Sequence, residues 1–192
     1  LTIVDIVTRD RAGLFEKVTG AFAVAGLNIL GARAITRKDE LAIDVFYVEG
    51  NEGGVVSNLK TRERCESSIQ SFLLGESSPD KLISEKRKKN DRNRLFSNED
   101  KLGEKIPPRV DVYRDVSLGR TIVEVRAPDQ VGLLHVIAKS ISDCGFTIMF
   151  ARIATEQGIA TDIFNIERAN EEEDCSPSRF LDLREQISHA LN

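Results

Sequence analysis

Two short stretches of this sequence have the makings of a small-molecule site: Asp10-Arg11-Ala12-Gly13-Leu14 and Asp129-Gln130-Val131-Gly132-Leu133. In each, the glycine opens an apolar run with helical spacing. The unpaired N–H groups of a helix start, and the positive end of its dipole, therefore fall beside Gly13 and Gly132. That suits a carboxylate, and a residue without a side chain lets a ligand approach the backbone closely. Asp10 and Asp129 can accept from an ammonium or an amide, and Asn28 can donate and accept. A plainer reading stays open, in which Asp10 and Asp129 only cap the helices and the glycines only permit the turns.

Little else in the chain suggests chemistry. The two histidines are His135 and His189; His135 is expected on the solvated outer side of its helix, and His189 near a helix C-terminus favours the dipole there. The three cysteines, Cys65, Cys144 and Cys175, are far apart and lack Cys-x-x-Cys spacing, so reduced thiols are expected rather than a disulfide framework or a zinc site. No Ser/His/Asp or Cys/His arrangement, P-loop or dinucleotide fingerprint can be assembled. Catalytic residues, a cofactor and a metal are accordingly not expected. The run Lys86-Arg87-Lys88-Lys89, with Arg92 and Arg94, is interspersed with Glu85, Asp91, Glu99 and Asp100 and reads as a solvated, partly helical linker; only Phe96 could stack on a base.

The elements that must position these residues come in two copies. Placing residue i over i+119 pairs Thr2-Ile3-Val4 with Thr121-Ile122-Val123, Asp10 with Asp129, Gly13-Leu14 with Gly132-Leu133, Gly26 with Gly145 and Ala32-Arg33 with Ala151-Arg152. After one deletion, an offset of 118 pairs Ala42, Asp44 and Phe46 with Ala160, Asp162 and Phe164. Each copy reads as strand, helix, two strands, helix. Phe15, Val18 and Phe22, matched by Leu134, Ile137 and Ile141, mark the buried face of the first helix. Gly26 and Gly145 stand at its C-terminal end. The second helix is expected over Val56–Leu74 in copy 1. In copy 2 it starts at Ser176-Pro177, with Phe180, Leu183, Ile187 and Leu191 inward. The order βαββα is a ferredoxin-like βαββαβ unit short of one strand. Val110–Val116 alternates like a strand and is expected to pair antiparallel with the first strand of copy 2; membership of copy 1 stays open. The expected organisation is α+β: domain 1 over residues 1–76, a charged linker over 77–106 and domain 2 over 107–192, each an antiparallel sheet with helices on one face.

Turn lengths suggest that Arg33 faces Asp44 across one hairpin and Arg152 faces Asp162 across the other, on the helix-covered side. The opposite face reads Leu30, Ala32, Ala34, Ile43, Val45 and Tyr47 in copy 1. Water should select polar residues there. The face is therefore expected to be covered by the other copy, another chain or further domains.

Asp10-Arg11-Ala12-Gly13-Leu14 followed by Gly26-Leu27-Asn28-Ile29 resembles the ACT domain, a ferredoxin-like regulatory module. Ala32-Arg33-Ala34-Ile35-Thr36, Ala42-Ile43-Asp44-Val45-Phe46-Tyr47-Val48 and Pro107-Pro108-Arg109-Val110 resemble the tandem ACT region at the C-terminus of the uridylyltransferase/uridylyl-removing enzymes of nitrogen signalling. The resemblance implies an allosteric amino-acid sensor, glutamine being the ligand implied, with Asp10, Arg11, Ala12, Gly13, Leu14, Asn28, Asp129, Gln130, Gly132 and Leu133 at its sites. It also implies a homodimer or docking onto upstream catalytic domains, in the cytoplasm. Alternatives are a stand-alone regulator like the glycine-cleavage repressor, acting through protein contacts, and a ligand-free dimerisation module. The pattern departs from the family at Ala12 and Val131, where proline is usual, and at Gln130 and Thr147, so copy 1 is expected to bind better.

Composition agrees with these limits. The chain of 192 residues is 41% hydrophobic and 30% charged, with a net charge of −4, an ordinary globular balance that gives nucleic acid no whole-molecule attraction. No apolar run has the ~18 residues of a membrane helix. Beginning at Leu1 rather than Met, the chain is expected to be a piece of a longer protein.

Overall fold

A computed structural model describes residues 1–37, 39–50, 53–94, 106–117, 119–168 and 177–192. The first copy runs β1 (Thr2–Arg9), α1 (Leu14–Ala25), β2 (Leu27–Thr36), β3 (Leu41–Gly50) and α2 (Leu59–Leu74). A connecting helix α3 (Pro79–Arg94) follows. The second copy comprises β4 (Arg109–Asp115), β5 (Arg120–Pro128), α4 (Leu133–Asp143), β6 (Phe146–Arg152), β7 (Thr155–Glu156), β8 (Ile159–Arg168) and α5 (Pro177–Leu191). The class is α+β, with ferredoxin-like units whose helices lie on one face of an antiparallel sheet.

The two copies share that sheet. Its order is β1-β3-β2-β6-β8-β5-β4, with β7 on β8. At the seam Gly31 pairs with Arg152, Ala32 with Ala151 and Arg33 with Phe150. Because Ala32 and Ala151 are repeat equivalents, a pseudo-two-fold axis passes through this pair. Apolar surface that one small unit could not bury alone is thereby pooled: a single hydrophobic cluster runs from Phe22, Phe46 and Val48 to Ile137, Phe164 and Ile187. Phe46 meets Phe22 edge-on with ring centroids 5.1 Å apart, and Phe15 at 5.2 Å.

Strand β4 pairs antiparallel with β5 from Arg109↔Arg126 to Asp115↔Arg120. It takes the sheet position of a ferredoxin-like fourth strand, reached from the N-terminal side. Helix α5 buries Leu183 and Ile187, with Phe180 and Leu191 packed against the same cluster; Ser176 lies outside the described residues. Helix α2 begins later than Val56: Asn58 is its N-cap, its side chain accepting from the N–H groups of Lys60 and Thr61.

Two expectations about the hairpins fail for one reason. Thr36 pairs with Ala42 and Ala34 with Asp44, while Ile29 pairs with Val48, so a bulge at Leu30 shifts the register between them. The equivalent bulge falls at Met149 in copy 2. One extra residue reverses which face each following side chain takes. Arg33 therefore lies opposite Val45 and Arg152 opposite Ile163, on the open face, while Asp44 and Asp162 stay buried under the helices without those arginines. Ala32 and Ala151 move to the helix side. The open face still carries apolar residues, with Ile3 59% and Val7 61% exposed beside Tyr47 and Phe150. The other copy lies alongside it and does not cover it.

The segment expected as a solvated linker also differs. Ile83 of α3 is buried with Ala21, Val24 and Phe72. Lys86 donates from Nζ to the carbonyls of Ala23 and Val24 at 2.7 and 3.3 Å, compensating the C-terminal end of α1, which has no basic residue in its last turn. Arg87 Nε donates to the Val131 carbonyl at 2.7 Å. Lys88 and Lys89 remain exposed. Residues 95–105, with Phe96, Glu99 and Asp100, are outside the described set, as are the side chains of Asp91, Arg92 and Arg94. Gly20 makes the docking feasible, since a Cβ there would stand 2.5 Å from Pro79 Cβ and 3.1 Å from His135 Nδ1.

Candidate functional site

Both Asp-x-x-Gly-Leu turns end on a glycine in the left-handed region, Gly13 at φ 74° and Gly132 at φ 76°, and each is its helix's N-cap with no side-chain capping bond. The capping role weighed for Asp10 and Asp129 is therefore not the one they have. Asp10 donates its N–H to the Glu40 carbonyl at 2.7 Å and accepts from Thr36 Oγ1 at 3.1 Å. Asp129 donates its N–H to the Gly158 carbonyl at 2.8 Å. Each turn is thus tied to the β-hairpin of its own copy. Leu14 and Leu133 plug the core just inside.

The two turns have different surroundings. In copy 1, Arg11 Nη1 donates to the Leu73 carbonyl at 3.2 Å, at the end of α2, and Ala12 is exposed. The Glu16 carboxylate folds back over the turn, its Oε1 2.9 Å from where a Gly13 Cβ would stand. Burial raises its pKa, against the pull of His135. The first turn of α1 thus faces an acid of its own.

In copy 2 the equivalent residue, His135, points elsewhere. It is 2% exposed rather than solvated, with Nδ1 2.8 Å from the Glu16 carbonyl and Nε2 2.9 Å from Asp80 Oδ1. Lys139 Nζ reaches Asp80 Oδ2 at 2.6 Å. Burial opposes ionisation of Asp80, but hydrogen bonds from Lys139 and His135 hold its pKa below the usual carboxylate range. In place of a glutamate, Ile83 of α3 stands over Gly132, its Cγ2 2.6 Å from where a Cβ would lie, beside the N–H groups of the first turn of α4.

These N–H groups border a cleft of about 600 Å³ between the copies. Asn28 enters it from the start of β2, the Asp129–Leu133 turn from the other side, Lys86 and Asn90 from α3, and Asp162 from beneath. The structure thus brings Asn28 together with Asp129, Gln130, Gly132 and Leu133. It does not place Asn28 with Asp10, Arg11, Ala12, Gly13 or Leu14, which start the other helix.

Asp162 is the group that sequence reasoning missed. Burial, helped by Asp129 and opposed by an Ala154 backbone hydrogen bond, pushes its pKa to about 7. In copy 1, burial and Asp10 push Asp44 to about 6. The repeat placed both aspartates in register, but the unrecognised bulge assigned them arginine partners. For His135 the missing signal was α3, whose docking no periodicity in the polar stretch announced.

Among the described residues no group of three or more His, Cys, Asp and Glu could hold a metal ion. Cys65 is buried and its thiol is pushed up to about 12 by burial. Cys144 Sγ donates to Gln186 Oε1 at 3.0 Å, and Cys175 is outside the described residues. No helix is long and apolar enough to cross a membrane among the described residues.

No protein-family model matches the chain. Its curated relatives include bifunctional uridylyltransferase/uridylyl-removing enzymes. That of Rhodospirillum rubrum is 28% identical over 97% of this chain and 19% of its own length, and that of Azospirillum brasilense 29% identical over 100% and 20%. The Caulobacter vibrioides enzyme is 31% identical over 84% of this chain and 16% of its own. A solved structure provisionally assigned as a glycine cleavage system transcriptional repressor aligns with 98% of this chain and 88% of its own at 13% identity and a TM-score of 0.29, too loosely to bear on the arrangement. Along its whole length, then, the chain is similar to bifunctional uridylyltransferase/uridylyl-removing enzymes, and it spans about a fifth of the length of those relatives.

Proposed function

We propose that this chain is an amino-acid-sensing regulatory module, a tandem ACT pair that takes a free amino acid, glutamine foremost, in the cleft between its copies. The observation that carries the reading is the cleft itself, where Asn28 of one copy meets the Asp129–Leu133 turn of the other. A carboxylate ligand would lie on the first turn of α4, where Gly132, Leu133 and Leu134 border the space. Asn28, Asp129 and Gln130, exposed in the free protein, would select its polar groups, since a ligand that covers them without the matching donors and acceptors leaves them unpaired. Asp10, Arg11, Ala12, Gly13 and Leu14 form the equivalent turn in copy 1, where Glu16 already stands in for a ligand acid.

Binding across the seam would favour one setting of the two copies and so bias attached domains through its differential affinity. Similarity to the uridylyltransferase/uridylyl-removing enzymes supports a regulatory region that docks on upstream catalytic domains in the cytoplasm. The division into residues 1–76 and 107–192 belongs to the same reading, with α3 a bridge rather than a free linker. Calorimetry with a panel of amino acids tests it. Saturable binding is expected for the wild type, weakened at least tenfold in Asn28→Ala, whose side chain is exposed and whose loss leaves the melting temperature unchanged. No binding of any amino acid would reject the sensor.

The exposed Ile3, Val7, Tyr47 and Phe150 favour a second reading, an interaction module whose open sheet face drives homodimerisation or docking. A concentration-independent monomer in sedimentation would remove the homodimer.

A further inference from the structure

A buried carboxylate in the cleft suggests how a ligand would be recognised. Asp162 is 1% exposed, yet its Oδ1 has no hydrogen-bond partner among the described residues. Its one backbone donor is the Ala154 N–H. A buried acceptor left unpaired is costly, and sites that tolerate one are enriched in function. The residue lines the same cleft as the first turn of α4, whose N–H groups attract an anion, and it stands beside the acidic Asp129. The space therefore sets the backbone donors of the α4 turn beside two carboxylates, Asp129 within that turn and Asp162 next to it. That polarity matches a zwitterion.

We propose that Asp162 is the ammonium anchor of the cleft: a free α-amino acid lies with its carboxylate on the first turn of α4 and its ammonium between Asp162 and Asp129. The inference rests on reading the cleft as the ligand site. It adds the selection of amino acids over the corresponding deaminated acids, which the turn alone would accept equally. It also adds a proton. With Asp162 holding a proton up to about pH 7, an arriving ammonium requires the ionised form, so binding at pH 6 expels that proton. The other ionisable groups around the cleft are Glu49 of β3, Lys86 of α3, and Asp129 and His135 of copy 2. The Asp162→Asn variant separates its share from theirs.

The test is calorimetry on the full chain with L-glutamine and with glutaramate, the same molecule without its ammonium group. For the wild type, glutamine is expected to bind at least about 100-fold tighter than glutaramate, with roughly one proton released per glutamine at pH 6 in buffers of differing ionisation heat. In Asp162→Asn, glutamine affinity should fall at least about tenfold, discrimination should collapse and proton release should vanish. Asparagine keeps the shape of the acid, and the melting temperature reports folding; should the variant not fold, the discrimination of glutamine from glutaramate by the wild type decides. Undiminished glutamine binding by Asp162→Asn, or equal binding of glutamine and glutaramate by the wild type, overturns the anchor. If binding is then still lost in Asn28→Ala, the cleft stands as the ligand site without it. A wild type that binds no amino acid overturns both.

Discussion

Asp162 and Asp44 are carboxylates that the fold holds against their ordinary tendency to ionise, at about 7 and about 6. A pKa raised on folding means that the folded state binds the proton more tightly. The associated stability is fully present below the unfolded value near 3.8 and is lost as pH rises through the folded value. Asp162→Asn, which cannot ionise, is accordingly expected to stabilise the protein by a few kcal/mol at pH 8 and by almost nothing at pH 4, read from urea titrations at both pH values. Gly132 makes the opposite prediction. Alanine there must hold φ near 76°, and its Cβ would stand 2.6 Å from Ile83 Cγ2. Gly132→Ala should cost about 2–4 kcal/mol. The two glycine turns were legible in the sequence because backbone conformation is a local demand. Asp162 was legible as a repeat position but not as an unpaired group, because burial and partner belong to the folded molecule.

At the scale of elements, α3 decides what the cleft looks like. Its docking combines the buried Ile83, the Asp80 contacts to His135 and Lys139, and Lys86 on the end of α1. Ile83→Ala should cost about 2–4 kcal/mol of stability. By hydrogen exchange it should deprotect the amides of α3 well before those of α1 and α4. Asp80 predicts a pH dependence of the opposite sense to Asp162. Its depressed pKa contributes stability above the ordinary carboxylate range that is lost as pH falls through the folded value, so acid should loosen α3 first. The repeated helices were readable from their apolar spacing. The docking of α3, read as a partly helical linker, was not, because it buries little more than Ile83 and holds on through charged side chains that read as solvated. The β2–β3 and β6–β8 hairpins were readable as hairpins, while their bulges share no signal: Gly31 follows Leu30 in one, but Phe150 follows Met149 in the other.

At the scale of the molecule, one core and one sheet make the duplicated halves a single cooperative unit. Phe46 and Phe164 are equivalent, both fully buried and both in the shared cluster. Phe46→Ala and Phe164→Ala should each cost about 3–5 kcal/mol. Each should shift the same unfolding transition, with near-ultraviolet and far-ultraviolet circular dichroism remaining coincident. Separate transitions would show that the seam at Ala32 and Ala151 joins two independent domains. The duplication itself was visible in the sequence through paired motifs in fixed order. The side-by-side joining was not, since the strands at the seam have no composition that distinguishes an inner edge from an outer one.

The pseudo-two-fold seam would ordinarily imply two equal pockets, and Lys86 and Asn90 of α3, which has no counterpart in a repeat, wall the one that contains Asn28 and Asp129. Gln130 replaces Arg11, and His135 replaces Glu16, on the same side. The proposed sensor is therefore expected to take one ligand per chain, with a hyperbolic saturation curve. Its output is graded across roughly two decades of concentration, without the steep threshold that two coupled equivalent sites would produce.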